Sequence, residues 1–274
     1  MAVKPGVSCH NLQLRRLLTL RHSTMSLPPA KSSALLTLAR GLLQIVYPNL
    51  CWICRQPIPP DQHAFCLPCH AALFTDPRPS CPRCAATVGP FAQVENGCPA
   101  CRDQGFAFDR AVRLGPYEGP LRDVILRTKD ALGEGLAEII AAEWSASLSD
   151  KLRELGIQCV VPVPLHWWRR WQRGYNQSDA LARALANTLN VPCHAYGLRR
   201  LRATKMQTSL SPTSRRENMR GAFVARRTVP LSGKSVLLVD DVMTTGSTAH
   251  EAARALRKAG AERVILAVLG RAEA

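Results

Sequence analysis

The stretch SVLLVDDVMTTGSTAHEAARALRKAG, residues 235–260, decides the fold of this chain. Ser235–Val239 is a continuous apolar run, the pattern of a strand buried on both faces. It leads into two carboxylates, Asp240 and Asp241, then into Thr244, Thr245, Gly246, Ser247 and Thr248. A helix follows, with Ala249, Ala252, Ala253, Leu256 and Ala259 on its apolar face. Lys258 suits the negative end of its dipole and Gly260 its C-terminal cap. A strand–loop–helix turn leaves unpaired N–H groups at the helix start, and small residues let the backbone wrap a phosphate there. Gly246 permits the tight path, and the Thr and Ser hydroxyls add donors. Paired carboxylates at the C-terminal end of a strand accept hydrogen bonds from a vicinal diol, as ribose presents, and steer Mg²⁺. The plainer alternative is a capped turn with a solvated acidic pair. The combination of apolar run, paired Asp and T-T-G-S-T favours the sugar-phosphate reading.

Outward from this core the pattern stays α/β. Phe106–Leu114 reads as a strand, Gly119–Arg127 and Leu136–Leu152 as helices, and Gln158–Val163 as a buried strand closed by Pro164. Asn176–Leu189 has helical apolar spacing, and Val264–Leu269 is another buried strand. Strands alternating with helices of this length predict a parallel, doubly wound sheet.

Residues 48–105 are different, rich in Cys and Pro and without apolar period. Eight of the 11 cysteines form four C-x-x-C pairs: Cys51/Cys54, Cys66/Cys69, Cys81/Cys84 and Cys98/Cys101. Two such knuckles complete a tetrahedral site, so the stretch reads as built around one or two structural Zn²⁺ ions. Disulfides, a redox pair and an iron–sulfur cluster are the alternatives. Local pairing of the knuckles and an interleaved pairing of first with third and second with fourth are both open. His63 and His70 read as bystanders, and Cys159 and Cys193 as core residues. The predicted organisation is a basic tail over 1–32, a helix (33–46) with a double zinc-knuckle module to 105, and an α/β domain over 106–274.

The formal charge of +16 favours polyanionic partners: nucleic acid, phosphorylated metabolites or an anionic membrane. Residues 150–235 hold 16 Lys or Arg against four Asp or Glu. There Trp167, Trp168 and Trp171 alternate with Arg169, Arg170 and Arg173. Aromatics offer stacking surfaces and arginines contact phosphates, which suits single-stranded nucleic acid. Tryptophans packed on the zinc module are the competing reading, and the same arginines would equally serve pyrophosphate. No apolar run reaches the roughly 18 residues of a membrane span. The acid-free stretch before Asp61 imitates a transit peptide but reads more simply as a basic tail, or as sequence upstream of a start at Met25. No secretory signal with a clear cleavage site is visible, so the compartment reads as reducing and cytoplasmic.

Val236–Thr248 resembles the motif with which type I phosphoribosyltransferases bind phosphoribosyl pyrophosphate (PRPP). More narrowly, residues 48–272 resemble the ComF family of competence-associated, phosphoribosyltransferase-like proteins. The Cys pairs, Tyr117–Leu121 with Lys129, Val161–Leu165, Arg173–Gln177 and the segment Gln207…Arg216-Glu217-Asn218…Gly221-Ala222-Phe223 carry that resemblance. It implies a type I phosphoribosyltransferase-like sheet, with Asp240 and Asp241 as catalytic positions holding the ribose hydroxyls. Thr244–Thr248 would cradle the 5′-phosphate, and the turn at Leu165 and His166 would face pyrophosphate. Arg215, Arg216 and Arg220 would belong to a loop closing over it. It further implies a PRPP ligand with Mg²⁺, single-stranded DNA and the DNA-uptake machinery as partners, and recruitment to the inner face of the membrane. Three roles follow: a DNA-handling protein of natural transformation, a phosphoribosyltransferase with an unidentified acceptor, or a PRPP sensor without turnover.

Overall fold

A computed structural model of the protein describes residues 48–59, 64–95, 97–130, 133–165, 171, 174–202 and 219–273. Contacts divide the chain at Pro48, and the description below concerns the compact unit Asn49–Ala274. The helix expected over 33–46 lies outside the described residues, as do His63 and Cys9.

Four strands form one parallel sheet: β1 (Arg110–Pro116), β2 (Cys159–Pro162), β5 (Ser235–Met243) and β6 (Arg263–Arg271), in the order β1-β6-β5-β2. Two three-residue strands, β3 (Leu198–Arg200) and β4 (Phe223–Ala225), pair antiparallel beside it. The helices are α1 (Leu67–Phe74), α2 (Gly119–Arg127), α3 (Glu134–Glu154), α4 (Gln177–Leu189) and α5 (Ser247–Lys258). α2 begins with Gly119-Pro120, where a missing proline N–H costs nothing, and α4 stops at Asn190 in the left-handed conformation.

The two central strands alternate between faces. Val236 and Leu238 of β5, with Val264, Leu266 and Val268 of β6, join α5 (Ala249, Ala252, Leu256) in one core layer. Leu237 and Val239, with Ile265, Ala267 and Leu269, join α2, α3 and α4 on the other, around the fully buried Trp144. Of the apolar face read for α5, Ala259 is exposed, and Ala255 takes the buried position instead.

The cysteine-rich segment straddles the edge strand β1. Cys81, Cys84, Cys98 and Cys101 pack into the α5 layer, whereas Phe65, Leu73 and Trp52, near the first Cys pairs, pack into the α2–α4 layer. At the sheet's open edge the Ala111 N–H donates to the carbonyl of Pro82 at 3.0 Å. Arg113, its side chain 2% exposed, fastens the arrangement: it reaches Asp76 at 3.0 Å, Glu273 at 2.9 Å and the Ala85 carbonyl at 2.9 Å. Burial raises the Asp76 carboxyl, but hydrogen bonds from Arg78 and the Arg113 charge outweigh it and hold it below the usual range.

Candidate functional site

β5 is longer than its apolar run. Asp240 pairs with Val268, Val242 with Gly270 and Met243 with Arg271, so the acidic pair sits on the ladder, not in the loop. The reason is β6, which continues through Arg271 and offers partners beyond the apolar residues.

Each carboxylate is fixed from a different element. Asp240 Oδ1 accepts from Ser178 Oγ at 3.2 Å and from the Asp241 N–H at 2.9 Å. Asp241 Oδ2 meets Lys129 Nζ at 2.9 Å, and its Oδ1 accepts from the Val242 N–H at 2.7 Å. Lys129 follows Thr128, whose carbonyl accepts from Gln177 Nε2 at 2.8 Å and from the Tyr175 hydroxyl. The end of α2 and the start of α4 thus lock together over the acidic pair. Burial first, then the adjacent Asp241 charge, pushes the Asp240 carboxyl up to about 8. A cation or a diol that prefers a carboxylate must displace that proton.

The loop beyond turns tightly. Gly246 has φ 77°, and a Cβ there would lie 2.7 Å from Met243 Cε and 2.8 Å from Phe106 Cε1. Thr245 Oγ1 and Ser247 Oγ lie 2.9 Å apart at the start of α5. A cavity of about 370 Å³ adjoins them, bounded by Phe106, His250, Glu251, Arg254 and Arg220. Glu251 accepts from the Gly221 N–H at 2.7 Å, which holds the neighbouring Arg220 at this rim.

Leu165 follows β2, whose register sets Pro162 against Val239, and the Val163 N–H donates to the Val239 carbonyl at 2.8 Å. The turn read as facing pyrophosphate therefore starts beside the acidic pair. Of the residues read from sequence, Asp240, Asp241, Thr244–Thr248 and Leu165 cluster at one end of β2 and β5. His166, Arg215 and Arg216 lie outside the described residues, and so do Trp167, Trp168, Arg169, Arg170 and Arg173. Trp171 is described and is 74% exposed. Ser178 and Arg271 were not singled out by the sequence, since a serine opening a helix and an arginine closing an apolar strand carry no local signal.

The cysteines sort locally. Cys51, Cys54, Cys66 and Cys69 form one group and Cys81, Cys84, Cys98 and Cys101 a second, each with its sulfurs within 4.8 Å of one another. The interleaved pairing is thereby excluded. Sulfur separations of 3.7 Å for Cys54–Cys66, 3.8 Å for Cys81–Cys101 and 3.6 Å for Cys84–Cys98 match the edge of a ZnS₄ tetrahedron, about 3.8 Å for bonds of about 2.3 Å. Both groups fit a four-thiolate zinc ion. Their first knuckles are copies: Arg55 and Ala85, each one residue past the second cysteine, have φ 61° and 56° and donate to the carbonyls of Cys51 and Cys81. His70 bonds Glu143 at 3.2 Å and belongs to neither group.

Residues 176–274 match the family of phosphoribosyl transferase domains. The DNA utilization protein YhgH of Escherichia coli (strain K12) is 33% identical over 223 residues, 80% of this chain and 96% of that protein. Competence protein F of Haemophilus influenzae is 32% identical over 228 residues, 81% of this chain and 96% of that one. The chain belongs to the ComF family. Its ComF sheet is of the phosphoribosyltransferase type, and the family match begins at Asn176, the cap of α4. Among solved structures, the glutamine PRPP amidotransferase of B. subtilis aligns with a TM-score of 0.34 at 23% identity, over 50% of this ComF chain and 27% of that one. Among the described residues no helix is long and apolar enough to cross a membrane.

Proposed function

We propose that this ComF protein binds PRPP with Mg²⁺ at the end of β5 and works in the handling of incoming single-stranded DNA during natural transformation. The observation that carries the ligand is one continuous segment: a carboxylate pair held by Ser178 and Lys129, running directly into a left-handed glycine and the start of α5. In this reading Asp240 and Asp241 take the ribose hydroxyls and the Thr244–Thr248 amides take the 5′-phosphate, where the helix dipole favours an anion. The Leu165 turn faces pyrophosphate, and Arg220 adds a cation beside the phosphate loop. Mg²⁺ would supply charge compensation to the pyrophosphate. The zinc ions are structural, since four thiolates leave no open position. The names of the relatives, a DNA utilization protein and a competence protein, support the biological setting. The +12 balance over 150–235 and the Trp–Arg segment Trp167–Arg173 support contact with a single strand.

The test is calorimetric titration of zinc-loaded protein with PRPP and Mg²⁺, beside an Asp240→Asn/Asp241→Asn variant. Binding by the wild type and its loss in the variant is the expected result; equal binding, or none by either, removes the ligand. Single-strand binding should fall with salt and with Arg169→Ala/Arg170→Ala; binding that ignores both removes the nucleic-acid contact.

A further inference from the structure

The two cysteine groups are unequal neighbours of the phosphate loop. Cys51–Cys69, whose last cysteine lies in α1, packs toward α2 and α3. Three contacts link Cys81–Cys101, or the segment directly after it, to the loop and the start of α5. The buried Arg271 donates from Nε to the Cys84 carbonyl at 3.0 Å and from Nη1 to the Thr244 carbonyl at 2.8 Å, so one guanidinium spans metal knuckle and loop. Phe106, five residues beyond Cys101 and stacked on Phe108 at 4.6 Å, occupies the space a Gly246 side chain would need. The Ala107 N–H donates to His250 Nδ1 at 3.2 Å, tying the same segment to the first turn of α5.

We propose that the metal-bound Cys81–Cys101 group is the brace that holds the Thr244–Thr248 loop in its phosphate-binding form, with Arg271 as the positioning residue, and that the Cys51–Cys69 group has no such role. The physical basis is directionality. Planar guanidinium donors fixed on one carbonyl of a rigid knuckle leave little freedom for the second carbonyl they hold. Lysine keeps the charge but, as a point donor on a flexible stem, does not span both carbonyls in fixed geometry. The inference rests on reading Thr244–Thr248 as the phosphate cradle, but its first test does not need a ligand.

Hydrogen exchange of the full zinc-loaded chain provides that test, with zinc content measured on each sample. Arg271→Lys should keep both ions and the slow exchange of the β1 and β5 amides, while the Thr244–Thr248 amides exchange at least ten-fold faster. Cys54→Ser, at the exposed position of the first group, should leave those loop amides unchanged. Should Arg271→Lys fail to fold, Phe106→Ala at its half-buried site is judged by the same loop criterion. Unchanged loop exchange in the arginine variant, or equal loosening in Cys54→Ser, overturns the brace. PRPP titration separates the two readings. A wild type that binds PRPP should weaken at least ten-fold in Arg271→Lys, and equal affinity there also overturns the brace. A wild type that binds no PRPP, with a loop that loosens as expected, removes the ligand and leaves the brace standing.

Discussion

Asp240→Asn should make the protein more stable, and the gain should depend on pH. In the folded chain burial, reinforced by Asp241, pushes this carboxyl from 3.8 to about 8. The unfolded chain ionises it near its ordinary value, so between the two the folded state holds a proton that the unfolded state has released. Stability contributed at this position is therefore greatest below the unfolded value and declines as pH rises through about 8. The ceiling for that penalty above pH 8 is roughly 6 kcal/mol. Partial solvent contact at this half-buried carboxyl reduces it to about 2 kcal/mol. Asparagine keeps an oxygen for the Ser178 hydroxyl and the Asp241 N–H without the charge. Calorimetric melting should then show the variant about 4–8 °C above wild type at pH 8. The difference should narrow to about 1–2 °C at pH 5, only about one unit above the unfolded value, where proton release favours the unfolded chain little. PRPP binding should fall in the same variant. A Tm at pH 8 equal to or below wild type, or a gain of the same size at both pH values, would refute the argument that a strained carboxylate is kept for its ligand.

Gly246→Ala places a Cβ at φ 77° against Met243 and Phe106, and urea unfolding should report a loss of about 1–2 kcal/mol, with PRPP affinity falling further than stability alone explains. Arg113→Met leaves Asp76 and Glu273 without their shared cation; a loss of about 3 kcal/mol is expected in the same assay. Elemental analysis should find two zinc ions per chain in the wild type, one in Cys54→Ser and one in Cys84→Ser; an unchanged count in either would break the assignment of ligand sets.

The parallel sheet and the centre of the site were legible because their signals are local. Val236–Val239 and Val264–Leu269 are apolar throughout, and the helix after Gly246 repeats at helical spacing within a dozen residues. The extension of β5 through Asp240 and Asp241 was not legible, because carboxylates normally end a buried strand and only pairing with β6 keeps them on the ladder. β3 and β4 were missed outright: three residues carry no period, and their pairing is tertiary. The cysteines announced a metal by spacing, yet which knuckles share an ion depends on how the chain folds back. Ser178 and Arg271 act through contacts 62 and 187 residues away in sequence, beyond any window over which a pattern can be read.

The Ala111–Pro82 hydrogen bond bears on solubility. β1 is an outer strand of a parallel sheet, and an uncovered row of backbone groups there would recruit a second chain. The knuckle that carries Pro82 has four thiols placed to hold an ion rather than a core of its own. Scarcity of zinc would thus uncover a sticky edge, and this protein should aggregate under chelation well before its sheet melts.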